Sequence, residues 1–219
     1  NYPVTEAMLR FASQGRVDAG IVEPVNLTLS PGLDAAGYAA AIESHLGAHP
    51  WEAHLANLNL LGSHDTARMR SMLAEDDDVV RLAVMLQMTF PGTPSVYYAD
   101  EIGMTGSHDP GCRAGFPWGR EEGWSNGVLE AHRSLIALRH ATPALRRGGY
   151  RTLAADGAFC VFAREGDDDA VVVAVNAGEA PAAAAIDVRC GGLLWGEGTA
   201  GEGAVTVPAR RGAVWRVEP

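Results

Sequence analysis

The stretch Leu58-Asn59-Leu60-Leu61-Gly62-Ser63-His64-Asp65-Thr66 decides the fold of this chain. Its apolar run is too short for a helix and ends at Gly62, which is typical of a strand buried on both faces in a parallel sheet. In parallel α/β folds, reactive groups collect at the carboxyl ends of the strands. We therefore expect His64 and Asp65 to lie at the functional edge of such a sheet.

Composition and charge narrow the class of partner. The 219 residues are 47% hydrophobic and carry 17 Lys and Arg against 27 Asp and Glu, a formal net charge of -10. Phosphate binding needs clustered basic residues, and here they are scattered, so we expect no nucleic-acid partner and favour a neutral ligand. No run of about 18 apolar residues is present, so we expect no membrane partner either.

The cysteines and the first residues say little about chemistry. Cys112, Cys160 and Cys190 are odd in number and lack CxxC spacing, so we predict neither a zinc site nor a disulfide framework and expect three free thiols. The chain begins at Asn1 without an initiator Met or a secretory leader. We therefore expect it to be a piece of a longer protein.

Helical and strand patterns alternate through the first two thirds of the chain. After the opening strand, residues 76–89 predict a helix, and the breaker residues 90–94 lead to a second buried strand at residues 95–99. This order predicts a βαβ unit with a right-handed crossover. Three acids at 76–78 complement the helix macrodipole, so we interpret them as a helix cap rather than a metal site. Further helices are predicted at residues 5–12, 34–49, 66–73 and 128–140.

A long loop and then a change of pattern follow. Residues 100–127 are rich in Gly and carry acids, His, Arg and two Trp, which indicates a functional loop. From about residue 148, short alternating runs predict an antiparallel β-sandwich. The predicted fold class is α/β plus all-β, with one domain over residues 1–147 and a sandwich over residues 148–219. The sandwich strands are predicted at residues 150–153, 159–164, 170–175, 183–188, 204–207 and 213–217.

Three segments, in order, resemble one known family. Residues 57–68 (NLNLLGSHDTAR), residues 90–103 (FPGTPSVYYADEIG) and the pair HDPGCR and FPW within residues 108–118 are similar to segments of the α-amylase family of glycoside hydrolases. Within that family they resemble the neopullulanase, cyclomaltodextrinase and maltogenic-amylase group. The resemblance implies the C-terminal part of a (β/α)₈ barrel, from the end of strand 6 at residues 1–3 through helix 8, followed by the family's β-sandwich.

The resemblance also implies roles for four side chains. His64 would donate to sugar hydroxyls at the cleavage point, and Asp65 would bind the same ring and stabilise the transition state. Asp109 and Arg113 would bind a neighbouring glucose on the non-reducing side. Reasoning from the residues alone leaves two alternatives open: Asp65 as the N-cap of a helix starting at Thr66, and Asp109 with Arg113 as a local ion pair.

The expected function is part of a retaining α-1,4-glucan hydrolase acting on starch-derived oligosaccharides, cyclodextrins or pullulan. Retaining hydrolysis needs two carboxyl groups roughly 5 Å apart, and the resemblance places both the nucleophile and the acid/base before residue 1. The implied partners are an α-glucan oligosaccharide and the missing N-terminal part, with homo-oligomers left open. The alternatives are a transglycosylase or a sucrose/trehalose-type isomerase of the same family, and a non-catalytic carbohydrate-binding or structural module.

No cofactor and no metal are expected in this chain, because the family's common calcium site would lie in the missing part. Free cysteines and the subgroup favour a cytoplasmic location. Among the other candidates, Tyr97 and Tyr98 are expected in the core, and Glu101 is expected to be structural. Trp118 and Trp124 are open between stacking on glucose and packing within the loop.

Overall fold

A computed structural model describes residues 2–22, 27–201 and 203–218. Helices and two short parallel strands extend to Arg147, and antiparallel strands follow from Gly149 to Val217. The helices are α1 (Tyr2–Ser13), α2 (Ala19–Val22), α3 (Ala35–Gly47), α4 (Trp51–Ala56), α5 (Met69–Met72), α6 (Asp77–Thr89), α7 (Asn126–Ala141) and α8 (Pro143–Arg147). The strands are β1 (Leu58–Leu60), β2 (Thr93–Ser95), β3 (Gly149–Asp156), β4 (Phe159–Glu165), β5 (Ala170–Asn176), β6 (Ala182–Ala185), β7 (Cys190–Gly196), β8 (Thr199–Gly201), β9 (Ala204–Val207) and β10 (Arg211–Val217).

The predicted βαβ unit is confirmed. Strands β1 and β2 pair in parallel, with Leu58 opposite Thr93, and α6 lies between them in the chain. The second strand was predicted at residues 95–99 but ends at Ser95. Beyond it the backbone turns, since Asp100 N donates to Tyr97 O at 3.0 Å and Ala99 adopts a left-handed φ of 67°.

Helix α6 is the centre of the core. Every residue from Val79 to Thr89 except Arg81 is buried, so the helix is covered on nearly all sides. The interpretation of its first acid as a cap is confirmed, because Asp76 Oδ1 accepts from Asp78 N at 3.1 Å and Val79 N at 3.3 Å. A polar residue inside the helix, Gln87, donates to Asn59 O and Ser95 O at 2.9 and 3.1 Å and so holds β1 and β2 to the helix.

The beginning of the chain packs on the same core. Asn1 lies outside the described residues, and Tyr2 and Pro3 already begin α1 instead of ending a strand. Within α1, Thr5 Oγ1 donates to Leu60 O at 2.6 Å. Helix α1 therefore lies directly against strand β1.

The remaining strands form two antiparallel sheets, as predicted. Five strands are ordered β3-β4-β5-β10-β7 and three are ordered β6-β9-β8. Strands β7 and β8 were not predicted, because Gly191, Gly192 and Gly196 interrupt the first and Thr199–Gly201 is only three residues long. Residues 166–169 form the tight turn between β4 and β5, as the sequence indicated.

The five-stranded sheet has two buried faces. Val172 and Trp215 face the three-stranded sheet, whereas Phe162, Val173 and Val214 belong to the core that contains α6. The two parts of the chain therefore share one hydrophobic core. The domain boundary at residue 147 stays a prediction.

A buried arginine, Arg164, binds backbone carbonyls where the two parts of the chain meet. Arg164 donates to the carbonyls of Thr89, Leu145, Gly148 and Gly149 at 2.5, 3.0, 2.7 and 2.9 Å. Burial, with the like charge of Arg139 nearby, lowers its pKa to about 9. Thr89 and Leu145 lie in the last turns of α6 and α8, where carbonyls have no partner within the helix, so the guanidinium satisfies groups that burial would otherwise leave unpaired.

Two further expectations from the sequence concern the cysteines and membrane-spanning helices. Cys112, Cys160 and Cys190 are free thiols, as expected. Within the described residues, no helix combines the length and the apolar character that crossing a bilayer requires.

Candidate functional site

The structure brings all four predicted site residues together. His64 and Asp65 lie in the loop after β1, and Asp109 and Arg113 lie in the loop after β2. Arg113 joins the two loops: its Nε donates to His64 O at 3.1 Å and lies 3.0 Å from Asp109 Oδ1, and its Nη2 lies 3.8 Å from Asp65 Oδ1. The parallel register of β1 and β2 explains this meeting, because it places both carboxyl ends at the same edge.

The two alternative interpretations do not account for this geometry. Helix α5 begins at Met69 with Arg68 at its N-cap, so Asp65 as the N-cap of a helix at Thr66 is wrong. The local ion pair between Asp109 and Arg113 is present, but Arg113 also reaches across to the other loop. Its role therefore extends beyond closing its own loop.

The site is open to solvent. The side chains of His64 and Asp65 are 63% and 61% exposed, and His64 Nε2 lies 3.3 Å from Asp65 Oδ1. Asp109 and Arg113 are 64% and 49% exposed. Carboxylate oxygens that only accept, beside a guanidinium that only donates, match the mixed donor and acceptor character of adjacent sugar hydroxyls. At this exposure the ion pairs themselves stabilise the fold little.

A buried layer lies beneath these exposed groups. The Arg68 side chain is 0% exposed, its Nη1 lies 3.2 Å from Asp100 Oδ1, and its guanidinium carbon is 4.3 and 4.4 Å from the ring centroids of Tyr97 and Tyr98. The expectation that both tyrosines serve the hydrophobic core is wrong, since Tyr98 is 39% exposed. Their rings cover the buried cation instead, and Tyr98 OH donates to Ala114 O at 2.7 Å.

The aromatic residues of the long loop separate into two roles. Trp118 is 77% exposed and its ring centroid lies 4.3 Å from that of Phe116. Trp124 meets the same ring edge to face at 5.7 Å. Packing within the loop thus accounts for Trp124, whereas Trp118 presents most of its indole to solvent.

Metal-ligating side chains do not cluster near the site among the described residues. No group of three or more His, Cys, Asp or Glu side chains in the part of the chain that the structure describes could hold a metal ion. Glu101, which had been expected to be structural, is half-buried, with Oε2 buried and without a hydrogen-bond partner.

Sequence reasoning missed Arg68, Asp100 and Cys112 as parts of the site's surroundings. Arg68 and Asp100 are 32 residues apart, and Cys112 Sγ contacts His64 O at 3.5 Å across 48 residues. The position of Asp100, directly after the predicted buried strand at residues 95–99, was the signal that could have indicated a buried pair.

Comparison with known proteins identifies the family. The α-amylase catalytic domain family matches residues 32–137. A cyclomaltodextrinase of Geobacillus thermopakistaniensis is 36% identical over 179 residues, which cover 80% of this chain and 27% of that protein. Neopullulanase 2 of Thermoactinomyces vulgaris is 35% identical over 205 residues, covering 92% of this chain and 32% of that protein.

Comparison with solved structures supports the same family. The native form of the Nostoc punctiforme debranching enzyme superposes with a TM-score of 0.92 at 39% identity, covering 99% of this chain and 47% of that one. The chain belongs to the α-amylase family. It spans about a third or less of the length of the first curated relatives that it matches. In α-amylase terms, the described helices and strands are those of the C-terminal barrel part and the following β-sandwich, which confirms the predicted fold class.

Proposed function

We propose that this chain forms part of the active site of a retaining α-glucan hydrolase. Asp65 would stabilise the positively charged transition state, His64 would donate to hydroxyls of the same sugar, and Asp109 and Arg113 would bind the neighbouring glucose. The observation that supports this proposal best is Arg113, which contacts His64 O, Asp65 and Asp109 together and so makes one surface from two loops.

The names of the relatives support the proposed substrate class. Their names are cyclomaltodextrinase, neopullulanase and amylopullulanase, and one structure holds a cyclic maltosyl-maltose hydrolase with maltose. For this chain we propose starch-derived oligosaccharides, cyclodextrins or pullulan. The nucleophile and the acid/base would come from family segments that precede the matched region.

Binding tests the assignment of residues. We expect the chain to bind maltotetraose, and we expect Asp65→Asn or Arg113→Lys to weaken binding about 10-fold or more, because each removes a hydrogen bond to a charged group. Asp187→Asn is the matched control, since Asp187 is also an exposed carboxylate paired with an arginine, Arg151, but lies in the sandwich. Equal affinity for Asp65→Asn and Asp187→Asn would contradict the assignment.

A turnover assay tests whether this chain can hydrolyse a glucan without the proposed nucleophile and acid/base. The 219-residue chain by itself is expected to release no reducing sugar from β-cyclodextrin, because the two carboxyl groups that the chemistry requires are not assigned to it. Measurable hydrolysis that Asp65→Asn abolishes would overturn this expectation.

A further inference from the structure

We propose that Arg68 and Asp100 form a buried positioning pair that holds the His64 and Asp65 loop in register with the Asp109 and Arg113 loop. The inference rests on the proposed function, because it concerns the geometry of the same site. Neither residue reaches the surface, so both would act through their neighbours.

Arg68 and Asp100 connect the two loops beneath the exposed site residues. Arg68 comes three residues after Asp65, and Asp100 comes five residues after the end of β2. Their side chains are 0% and 4% exposed and meet at 3.2 Å. The Arg68 backbone adds a second connection, since its N donates to Gly106 O at 2.9 Å.

Asp100 supports the base of the first loop. A Cβ atom built on Gly62 would lie 2.6 Å from Asp100 Oδ2, so the carboxylate is packed against the backbone where β1 gives way to Ser63 and His64. A shift of Asp100 would therefore remove the support under His64. Only a residue without a side chain fits at this position while Asp100 stays in place.

Arg68 supports the second loop through the two tyrosines. The rings of Tyr97 and Tyr98 cover its guanidinium. Their hydroxyls donate to Cys112 O at 3.5 Å and to Ala114 O at 2.7 Å, the residues on either side of Arg113. Arg113 is thus fixed from both sides before its own side chain contacts His64 O.

The chemistry of the pair points to a role beyond stability. Arg68 Nε and Nη2 are buried without a hydrogen-bond partner in the described structure, which burial penalises. A pair of apolar residues would fill the same space at lower cost. The arrangement is therefore better explained by the orientation that it imposes on the site.

Ionisation of Asp100 makes the proposal testable with pH. Burial raises the pKa of Asp100 to about 7 against the lowering effect of Arg68, and Glu101 raises it further. Tyr97 and Tyr98 cover the Arg68 guanidinium, and Cys112 lies near Tyr97. The titratable groups next to Arg113 are His64, Asp65 and Asp109. As the pH falls through about 7, Asp100 takes up a proton and the ion pair is lost.

The decisive measurement is the NMR signal of the Arg113 Nε proton, which donates to His64 O, followed between pH 5.5 and 8.5. In a His64→Gln background, which removes the imidazole beside Arg113 and keeps the backbone carbonyl, we expect this signal to shift as Asp100 takes up its proton. Asp100→Asn, which stays neutral, should keep the low-pH signal throughout, and Arg68→Lys, which loses the planar fork, should change the signal at high pH. A transition that persists in Asp100→Asn on that background, or an Arg113 signal that Arg68→Lys and Asp100→Asn leave unchanged, would overturn the proposal.

Asp78 and Arg81 provide the matched control. They form an ion pair of 2.8 Å within α6, and Asp78 also pairs with Arg211 of β10, so these ion pairs do not involve either loop of the site. Arg81→Lys and Asp78→Asn should leave the Arg113 transition unchanged; a loss of the transition in these variants would mean that any weakened ion pair has this effect and would count against the proposal.

Sugar binding separates this inference from the proposed function. Asp100→Asn and Arg68→Lys are expected to raise the Kd for maltotetraose about 10-fold, since loosely held binding groups lose affinity, while the control variants stay within about 2-fold. If the unaltered chain binds no maltotetraose, the proposed function fails and the NMR titration still decides the positioning role. If the site variants bind as tightly as the controls, the positioning role fails alone.

Discussion

A Cβ atom at Gly62 would lie 2.6 Å from Asp100 Oδ2, and this contact leads to a prediction at the scale of a single residue. Gly62→Ala should displace the buried carboxylate and lower the free energy of unfolding by roughly 1–3 kcal/mol, as overpacking does. It should also weaken maltotetraose binding. Urea denaturation and a binding titration measure the two effects.

Gly115→Ala is the control for this substitution. Gly115 lies in the neighbouring loop, and a Cβ there would meet nothing within 4 Å. Its effect on stability should be well below that of Gly62→Ala. Equal effects would show that Asp100 moves aside freely and does not support the loop.

At this scale the sequence predicts the exposed half of the site and misses the buried half. His64 with Asp65, and Asp109 with Arg113, are neighbours along the chain, so short motifs reveal each pair. The other contacts join residues 30 or more positions apart: Arg113 contacts both pairs, and Arg68 lies beneath them. Such contacts follow from strand register, which local patterns do not specify.

At the scale of secondary-structure elements, the start of α6 predicts a dependence on pH. Burial raises the pKa of Asp76, but hydrogen bonds from Arg210 and from the amides of Val79 and Asp78 outweigh it and leave the pKa below its ordinary value. Stability from this lowered pKa is present above the unfolded pKa, near 4, and is lost as the pH falls through the folded value. Asp76→Asn should therefore destabilise the chain at pH 7, and its effect should shrink as the pH falls below about 4.

Thermal unfolding at several pH values tests this dependence. Asp34→Asn is the matched control, because Asp34 caps α3 through Gly37 N at 2.7 Å and has no basic partner among the residues described. An Asp76→Asn effect that stays constant down to pH 3 would contradict the prediction.

The contacts of Arg164 with the ends of α6 and α8 predict a second effect on the free energy of unfolding. Its guanidinium binds four carbonyls, and a lysine cannot reach all of them. Arg164→Lys should lower the free energy of unfolding by roughly 2–4 kcal/mol, because buried carbonyls lose their donors. Arg216→Lys, at an exposed position near the end of β10, should change it by less than about 0.5 kcal/mol. Similar urea midpoints for the two variants would refute this role.

Element boundaries show why some predictions at this scale succeed. The predicted helix at residues 76–89 agrees with α6, because an acid cap and a proline-glycine break mark both of its ends. Helix α4, Trp51–Ala56, is missed because six residues carry too little periodicity. The strand at β2 is displaced because Tyr97 and Tyr98 resemble strand residues in type but lie in the turn that covers Arg68.

At the scale of the whole molecule, the small parallel sheet predicts association. Among the residues that the structure describes, β1 and β2 pair only with each other, and Leu58 is 54% exposed. Free strand edges with apolar side chains invite pairing with another chain. We expect the isolated chain to self-associate in sedimentation velocity, and Leu58→Lys to reduce this.

Leu193→Lys is the control for association. Leu193 is 47% exposed on β7, whose register with β10 is irregular and less suited to further pairing. It should leave the oligomer distribution unchanged. A monodisperse monomer of the unaltered chain would contradict the prediction.

The five-stranded sheet has a face on α6 as well as a face in the sandwich, and this bears on how such proteins can diverge. Gly212 lies so close to Met85 that a Cβ there would be 2.1 Å from its sulfur. A recombination event that exchanged everything after residue 148 for a foreign sandwich would need a matching surface for α6. Descendants of this architecture should therefore inherit the two parts as one unit, and swaps between lineages should survive only when residues facing α6 travel with them.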